Sequence, residues 1–408
     1  MLTRVSVENF KSLKHVDIML KPLTVLIGPN GSGKSSILHS LLVLKKLYAT
    51  QGNIVRDSLF QLDGYLDMGS WDDVVFDDSM PMRVSMEVVE DSVRMLLNTT
   101  ISRDGRVSLS VKLRVEEGES LLEKVLTLPY SQKQSQSVTV KLRGGALTIN
   151  WDGFNAHPAS VIGSVDEELK NAIISTLTSW HHRVLFVPCA HSMFRSPQVT
   201  VGASKDSILA AIRTSLVVDE QYLASLISLD HNIEEYVWDL AEDIFGVRVR
   251  SHVYPPNTAK IIASRKPRRG RAVAIVNEGG GVNRAVYLFT ILALAERGST
   301  ILVEEPETNL HPKAQHDLAR VFADAVTREG RQFIITTHSE HLLLGILDQV
   351  RRKKLNLDDL AIYYLERDEE GKSVARQLEV DDRGRVKGGL PGFFEEEVEE
   401  LVELLSIQ

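Results

Sequence analysis

Apolar and polar positions alternate over residues 2–8, as in a half-buried strand, and residues 23–27 form a short unbroken apolar run that stops at a glycine-rich stretch. Residues 35–48 then take up a helical pattern. From about 82 to 151 the period changes to two, over 83–89, 106–115, 137–142 and 146–151 with polar turns between them, which predicts an antiparallel β lobe. Residues 165–245 favour helices, clearest at 167–180 and 207–229, with a strand-like interruption at 184–188. No heptad is sustained there, so a long coiled-coil arm is not expected. After a basic, proline-containing loop, a strand at 272–276, a helix at 282–297, a strand at 300–303, a helix at 312–327, a strand at 332–336 and a helix from 339 follow one another. A hairpin over 361–380 and an acidic amphipathic helix over 393–405 end the chain. Strands alternating with helices predict an α/β fold with a mixed, mainly parallel sheet covered by helices.

Composition changes little in this picture. At 43% hydrophobic and 25% charged residues, the 408-residue chain can bury a large core and is not of the disordered class. Its single cysteine, Cys189, excludes an intramolecular disulfide and a thiolate zinc cluster. No run reaches the roughly 18–20 apolar residues that span a bilayer, and the amino terminus reads as a strand and not as a leader, so no membrane contact and a cytoplasmic address are expected. A net charge of −8 disfavours indiscriminate polyanion binding, although a local basic patch outweighs the global sign within about a Debye length.

Chemistry enters at Gly28-Pro29-Asn30-Gly31-Ser32-Gly33-Lys34-Ser35, followed by Ser36. A glycine-rich turn between a strand and a helix presents successive backbone N–H groups to phosphate oxygens at the positive end of the helix dipole. This is the phosphate-loop pattern, in which Lys34 reaches the β- and γ-phosphates and the Ser35 hydroxyl joins Mg²⁺. Far downstream the apolar run 301–303 delivers two adjacent carboxylates, Glu304 and Glu305, at a strand's carboxyl end, where open α/β sheets bind their ligands. One acid near the metal and one on the attacking water are the two acidic roles of phosphoryl transfer.

The stretch Glu304-Glu305-Pro306-Glu307-Thr308-Asn309-Leu310-His311-Pro312 resembles the extended Walker B and D-loop of the RecF/SMC/OLD-like group of ABC-type ATPases. Thr336-Thr337-His338-Ser339 resembles that group's H-loop, and Asn9-Phe10-Lys11-Ser12 and Gly389-Leu390-Pro391-Gly392-Phe393-Phe394 resemble its ends. The likeness covers about residues 1–80 and 270–400. It implies a P-loop NTPase head of ABC type, an ATPase that uses ATP and Mg²⁺, split by an insertion. The expected organisation is an amino-terminal ATPase half with the β lobe (1–160), a mainly helical insertion (161–250) and a carboxyl-terminal half with signature, Walker B and H-loop (251–408).

By the same resemblance, Glu304 matches the Mg²⁺-associated acid, Glu305 the catalytic base and His338 the γ-phosphate switch. Gly279, Gly280, Gly281 and Asn283 stand where the signature should lie, though without its serine, so that backbone N–H groups and Asn283 are expected to meet a γ-phosphate. Gln61 falls in the window of the metal-sensing Q-loop glutamine; a surface polar residue is the rival reading. Glu304 in place of the commoner Asp, and His311 in place of the transporter D-loop Asp, set the chain apart from transporters.

The family's heads sandwich ATP between two subunits, so an ATP-dependent homodimer is expected. Work in nucleic-acid maintenance or anti-phage defence beside a nuclease or effector on a separate polypeptide is the first functional expectation, because too few residues follow His338 for the Toprim domain of many OLD-like proteins. An ATP-gated protein-binding scaffold with slow hydrolysis and no DNA contact is the second. The basic stretch Lys260, Arg265, Lys266, Arg268, Arg269, Arg271 is open to two uses, a phosphate contact or a solvated loop. The acidic tail helix, with Phe394, Val398, Leu401, Val402 and Leu405 near one face, packs on its own sheet or docks a partner.

Overall fold

The computed structural model describes residues 1–115, 118–189, 193–200, 203–254, 257–265 and 272–389. The acidic tail helix, the segment 390–394 and Lys266, Arg268, Arg269 and Arg271 lie outside these described residues.

A six-stranded mixed sheet sits at the centre, in the order Val184–Val187, Thr300–Glu304, Gln332–Thr336, Leu23–Ile27, Leu360–Arg367, Ser373–Leu378. Its first five strands are parallel and only the last is antiparallel. The amino-terminal run Leu23–Ile27 is therefore inserted between two strands from the far end of the chain. Each of its five residues is buried, and the faces alternate: Val25 packs with the helices of one side and Leu26 with the other. Ile301 and Val303 against Leu302, and Phe333 and Ile335 against Ile334, repeat the split. Burial on both faces explains why these strands read as continuous apolar runs.

One face is covered by the helices Gly280–Leu294, Pro312–Thr327, Glu340–Arg351 and His231–Phe245. The other holds the helix Lys34–Ala49 and, beyond it, a six-stranded antiparallel sheet in the order Leu13–Met19, Leu2–Phe10, Met82–Glu90, Val93–Ile101, Arg106–Val115, Gly118–Thr127. A three-stranded antiparallel sheet, Gln136–Leu142, Gly145–Trp151 and Ala156–Gly163, extends this lobe. Gln332 joins the two large sheets: its Oε1 accepts from Leu2 N at 2.8 Å and its Nε2 donates to Leu2 O at 2.6 Å.

Three local readings differ from the sequence pattern. The helix expected over 207–229 is two helices, Lys205–Thr214 and Glu220–Leu229, because Ser215 turns extended and Asp219 caps the second by accepting from Gln221 N at 2.7 Å. The basic loop contains a hairpin, Val247–Tyr254 with Thr258–Arg265. The strand expected over 272–276 shortens to Val273–Ala274 and continues as a 3₁₀ turn, Ile275–Asn277. Among the described residues no helix is long and apolar enough to cross a membrane.

Candidate nucleotide site

The carboxyl ends of three adjacent parallel strands, Leu23–Ile27, Gln332–Thr336 and Thr300–Glu304, open onto one edge of the sheet. The first continues into the phosphate loop, the second into residues 337–339 and the third into Glu305. The topology thus collects residues separated by some 300 positions.

Gly28 has φ +138°, and a Cβ there would collide with the carbonyl of Leu365 on the neighbouring strand, so the turn requires glycine. Pro29, Asn30 and Gly31 are exposed, and the helix begins at Lys34 after Gly33. Lys34 Nζ curls back to donate to Gly28 O and Pro29 O, each at 2.8 Å. Burial pulls this amine down to about 8, while the charges of Glu305 and Glu307 push the other way. The Ser32 hydroxyl is buried with no hydrogen-bond partner among the described residues. A glycine loop at the start of a helix, a lysine held by two carbonyls and an orphaned hydroxyl fit the oxygens of a polyphosphate. Ser35, half-buried, and Ser36, buried, follow on the helix.

Glu304 ends its strand almost fully buried, at 2% exposure. Its Oε1 stands 2.9 Å from His39 Nε2; its Oε2 accepts from the Tyr65 hydroxyl at 2.7 Å and from Cys189 N at 3.3 Å. Burial works to raise its pKa, but His39, Tyr65 and the Cys189 amide outweigh it and the net direction is down. His39 Nδ1 in turn lies 3.0 Å from Lys11 Nζ, in the turn of the Asn9-Phe10-Lys11-Ser12 motif. Neither His39 nor Tyr65 was marked by the sequence, where they lie 265 and 239 positions from Glu304.

Glu305 occupies a positive φ of 41°, rare for a side-chain-bearing residue, fixed by its N–H donating to Thr336 O at 2.8 Å. His338 Nε2 stands 3.5 Å from Glu305 Oε1 and Cys189 Sγ donates to Oε2 at 3.3 Å. His338 first among these neighbours holds the carboxyl at about 2, so Glu305 is ionised throughout the physiological range. Glu307 turns inward: Thr337 Oγ1 donates to its Oε1 at 2.7 Å and His338 N at 2.9 Å, which bolts the 305–310 turn to the 336–339 turn. Burial raises the Glu307 pKa.

The glycine segment 279–281 opens the helix Gly280–Leu294, with Gly279 exposed. A Cβ on Gly281 would collide with the carbonyl of Asn309, so the helix start lies directly on the turn after the twin glutamates. Asn283 does not face out as expected. It is fully buried, its Oδ1 accepting from Met193 N and Phe194 N at 2.9 Å each and its Nδ2 donating to Phe194 O at 2.9 Å, which leaves no free polar atom for a γ-phosphate in this arrangement. Arg284, buried beside it, donates to Pro188 O and to Glu304 O and tethers the same helix to the acidic strand end.

Gln61 also departs from expectation. It is exposed on the hairpin Gln61–Leu62/Leu66–Asp67 and its amide donates to Asp67 Oδ2 at 3.3 Å; Tyr65, at the tip of that hairpin, is the residue that reaches Glu304. His311 serves as the cap of the helix Pro312–Thr327, accepting from Lys313 N at 3.3 Å. Arg265, the one guanidinium of the segment 265–271 within the described residues, pairs with Glu278 at 3.0 Å. No group of three or more His, Cys, Asp or Glu among the described residues is arranged to hold a metal alone.

The family model described as "AAA domain, putative AbiEii toxin, Type IV TA system" matches residues 23–344, and one described as a protein of unknown function, DUF3696, matches residues 355–404. The OLD nuclease of Thermus scotoductus is 20% identical over 92% of the chain and 66% of its own length; the Old nuclease of Escherichia phage P2 is 23% identical over 84% and 57%. The chain thus spans less than two thirds of the length of either nuclease. The DNA replication and repair protein RecF of Vibrio vulnificus is 25% identical over 39% of the chain and 40% of its own length. Among solved structures, the SMC head domain of Thermotoga maritima aligns with a TM-score of 0.44 at 13% identity, over 93% of this chain and 99% of that one.

Proposed function

We propose, from the premise that the chain belongs to this AAA-domain family and to the ABC-type ATPases of the RecF/SMC/OLD group, that it binds ATP with Mg²⁺ on the loop 28–35 and hydrolyses it at Glu305. One observation carries the reading: the strand that leads into the glycine loop and the strand that ends in Glu304 flank Gln332–Thr336 in one parallel sheet, so that the loop and Glu305 follow from the same sheet edge although they are some 270 residues apart.

In this mechanism Lys34 exchanges two carbonyl oxygens for the oxygens of the β- and γ-phosphates. Ser35 and Glu304 are the residues that would hold Mg²⁺, which when bound supplies charge neutralisation at the phosphates. Glu305 accepts a hydrogen bond from the attacking water and orients it; a carboxylate held at about 2 is a weak base, which suits a reaction whose catalysis is mostly positioning. His338, 3.5 Å from Glu305, meets the γ-phosphate and relates its presence to the 336–339 turn. The backbone N–H groups of the exposed Gly279 and the half-buried Gly280, without Asn283, meet the nucleotide of a second copy, so that ATP closes a homodimer. The division into halves 1–160 and 251–408 around an insertion at 161–250 belongs to the same proposal, with the strand Val184–Val187 lent by the insertion to the central sheet.

The relatives named as nucleases and as a DNA repair protein support work in nucleic-acid maintenance or defence beside a nuclease or effector. One observation favours the scaffold reading instead: Arg265 is occupied by Glu278 and by Phe245 O, which withdraws it from phosphate contact. Equilibrium binding of a fluorescent ATP analogue tests the core of the proposal. Lys34→Ala should weaken it by about 100-fold or more, the scale of losing a charge-assisted contact in a partly dry site; unchanged binding would remove the loop as the nucleotide site. DNA retention by the unaltered chain at low salt, lost at high salt, would separate the two biological readings.

A further inference from the structure

We infer that Glu307 is a positioning residue for hydrolysis, acting through His338 and the turn that carries Glu305; this deepens the reading of the site given above and rests on it. The two acidic roles of phosphoryl transfer are filled by the carboxylates before Pro306, and the third, Glu307, is left without one. In the structure its side chain is buried, at 8% exposure, and one of its oxygens is directed to the neighbouring 336–339 turn.

The backbone from Glu305 to Asn309 needs outside support. Both ends lie in the left-handed region, Glu305 at φ +41° and Asn309 at φ +62°, which side-chain-bearing residues keep only where their surroundings impose it. Bonds within the turn, Thr308 N to Glu305 O at 3.1 Å and Leu310 N to Glu307 O at 2.9 Å, give it shape but do not fix it to the sheet. Its start is held to the 336–339 turn by Glu305 N donating to Thr336 O at 2.8 Å. Its end is held through Gln315, whose amide donates to Leu310 O at 2.8 Å and whose carbonyl accepts from the Ser339 hydroxyl. Its middle is held by Glu307, whose Oε1 accepts from both Thr337 Oγ1 at 2.7 Å and His338 N at 2.9 Å. Thr337 N donates in turn to Leu26 O at 3.0 Å, on the strand that leads into the phosphate loop. The His338 ring then stands 3.5 Å from Glu305 Oε1 and closes the circuit. One oxygen of Glu307 thereby sets the separation between the residue proposed to orient water and the residue proposed to meet the γ-phosphate, and registers both against the phosphate loop.

A side chain that only fills the core predicts that binding and turnover fall together, as fewer chains fold. Positioning predicts lost turnover in chains that still bind. For the unaltered chain, Glu307→Ala, Glu307→Gln and Thr337→Val, a fluorescent ATP analogue gives Kd and nucleotide bound per chain, and ATP hydrolysis is expressed per chain able to bind. Glu307→Ala should lower kcat about 10- to 100-fold, the scale of a misplacement of about 1 Å, with KM and Kd within about threefold. Glu307→Gln, which keeps an accepting oxygen of the same reach, should recover most of that loss. Thr337→Val leaves His338 N on the carboxylate and should give a smaller fall; it keeps the test valid if Glu307→Ala fails to fold. Amide hydrogen exchange reads the support without turnover: residues 336–339 should exchange faster in Glu307→Ala, while the helix Pro312–Thr327 exchanges as before. Unchanged kcat in Glu307→Ala, or in Thr337→Val where Glu307→Ala does not fold, overturns the inference, and so does Glu307→Gln as impaired as Glu307→Ala. An unaltered chain that binds or hydrolyses no ATP would instead sink the reading of the site, a different result from an active chain indifferent to Glu307.

Discussion

Lys45 carries the clearest pH signature of any single residue. It is wholly buried on the phosphate-loop helix and donates to Val184 O at 2.6 Å, joining that helix to the edge strand of the central sheet. Burial lowers its pKa from 10.5 to about 7, with Asp63 opposing the shift. Between those values the unfolded chain binds the proton more tightly than the folded one, so folding stability rises with pH across that window. Below about 7 both states are protonated and the penalty of the buried charge is fully present. Lys45→Met removes the penalty and one hydrogen bond. Relative to the unaltered chain it should therefore be more stable at pH 6 and less favoured at pH 10, read from urea midpoints at the two values; parallel pH curves would show that Lys45 is not the titrating group. Glu305 shows the same direction of dependence in a far lower window. Glu305, held at about 2, contributes stability that is present above about 4.5 and lost as pH falls toward 2.

At the scale of elements, the start of the helix Gly280–Leu294 is the joint between the glycine segment and the acidic turn. Gly281 permits the backbone at Asn309 to lie against the helix, and Arg284 holds the same helix to Glu304 O. Gly281→Val would force the two apart, so it should cost hydrolysis by about 10-fold or more through misplacement of Glu305 while Lys34-dependent nucleotide binding persists. Equal loss of both would place the damage in global folding. Such joints were invisible in the sequence, whereas the strands and helices they connect were largely legible. Leu23–Ile27 and Gln332–Thr336 coincide with their apolar runs because both faces of each strand are buried, and Pro312–Thr327 coincides because its buried positions recur at the helical period. Ala156–Gly163 was illegible for the contrary reason, since all but its first residue are exposed and no alternation is imposed. The hairpin Val247–Tyr254/Thr258–Arg265 hides its buried Val247, Val249, Ala259, Ile261 and Ala263 in a stretch of sequence that also carries arginines and two adjacent prolines. Residue type and spacing single out Gln61 and Asn283. Hydrogen-bond partners decide such roles, and they assign Gln61 to its own hairpin and Asn283 to holding residues 193–194.

The whole molecule turns on a strand from its beginning lying between two strands from its end, with Leu23–Ile27 hydrogen-bonded on both sides. Pairings of this sequence separation are slow to form, because loop closure precedes the contacts that reward it. Their functional consequence is that the phosphate loop and the acidic turn exist as a site only in the complete fold. The loop residues Pro29, Asn30 and Gly31 are exposed, and so is Gly279 of the glycine segment; in the proposed dimer a second copy would bring its Gly279 to this chain's nucleotide. A ligand shared by two subunits favours the closed pair by as much as it binds that pair better than the separate chains. Glu305→Gln keeps the shape of the site and removes the charge proposed to orient water, so hydrolysis should fall by about 100-fold or more. The ATP-bound pair would then outlive the time of a sedimentation run, as a species of twice the chain mass that reverts when ATP is withdrawn. Single-chain mass in Glu305→Gln, under conditions where the nucleotide is measurably bound, would leave hydrolysis intact as a function and remove dimerisation from it.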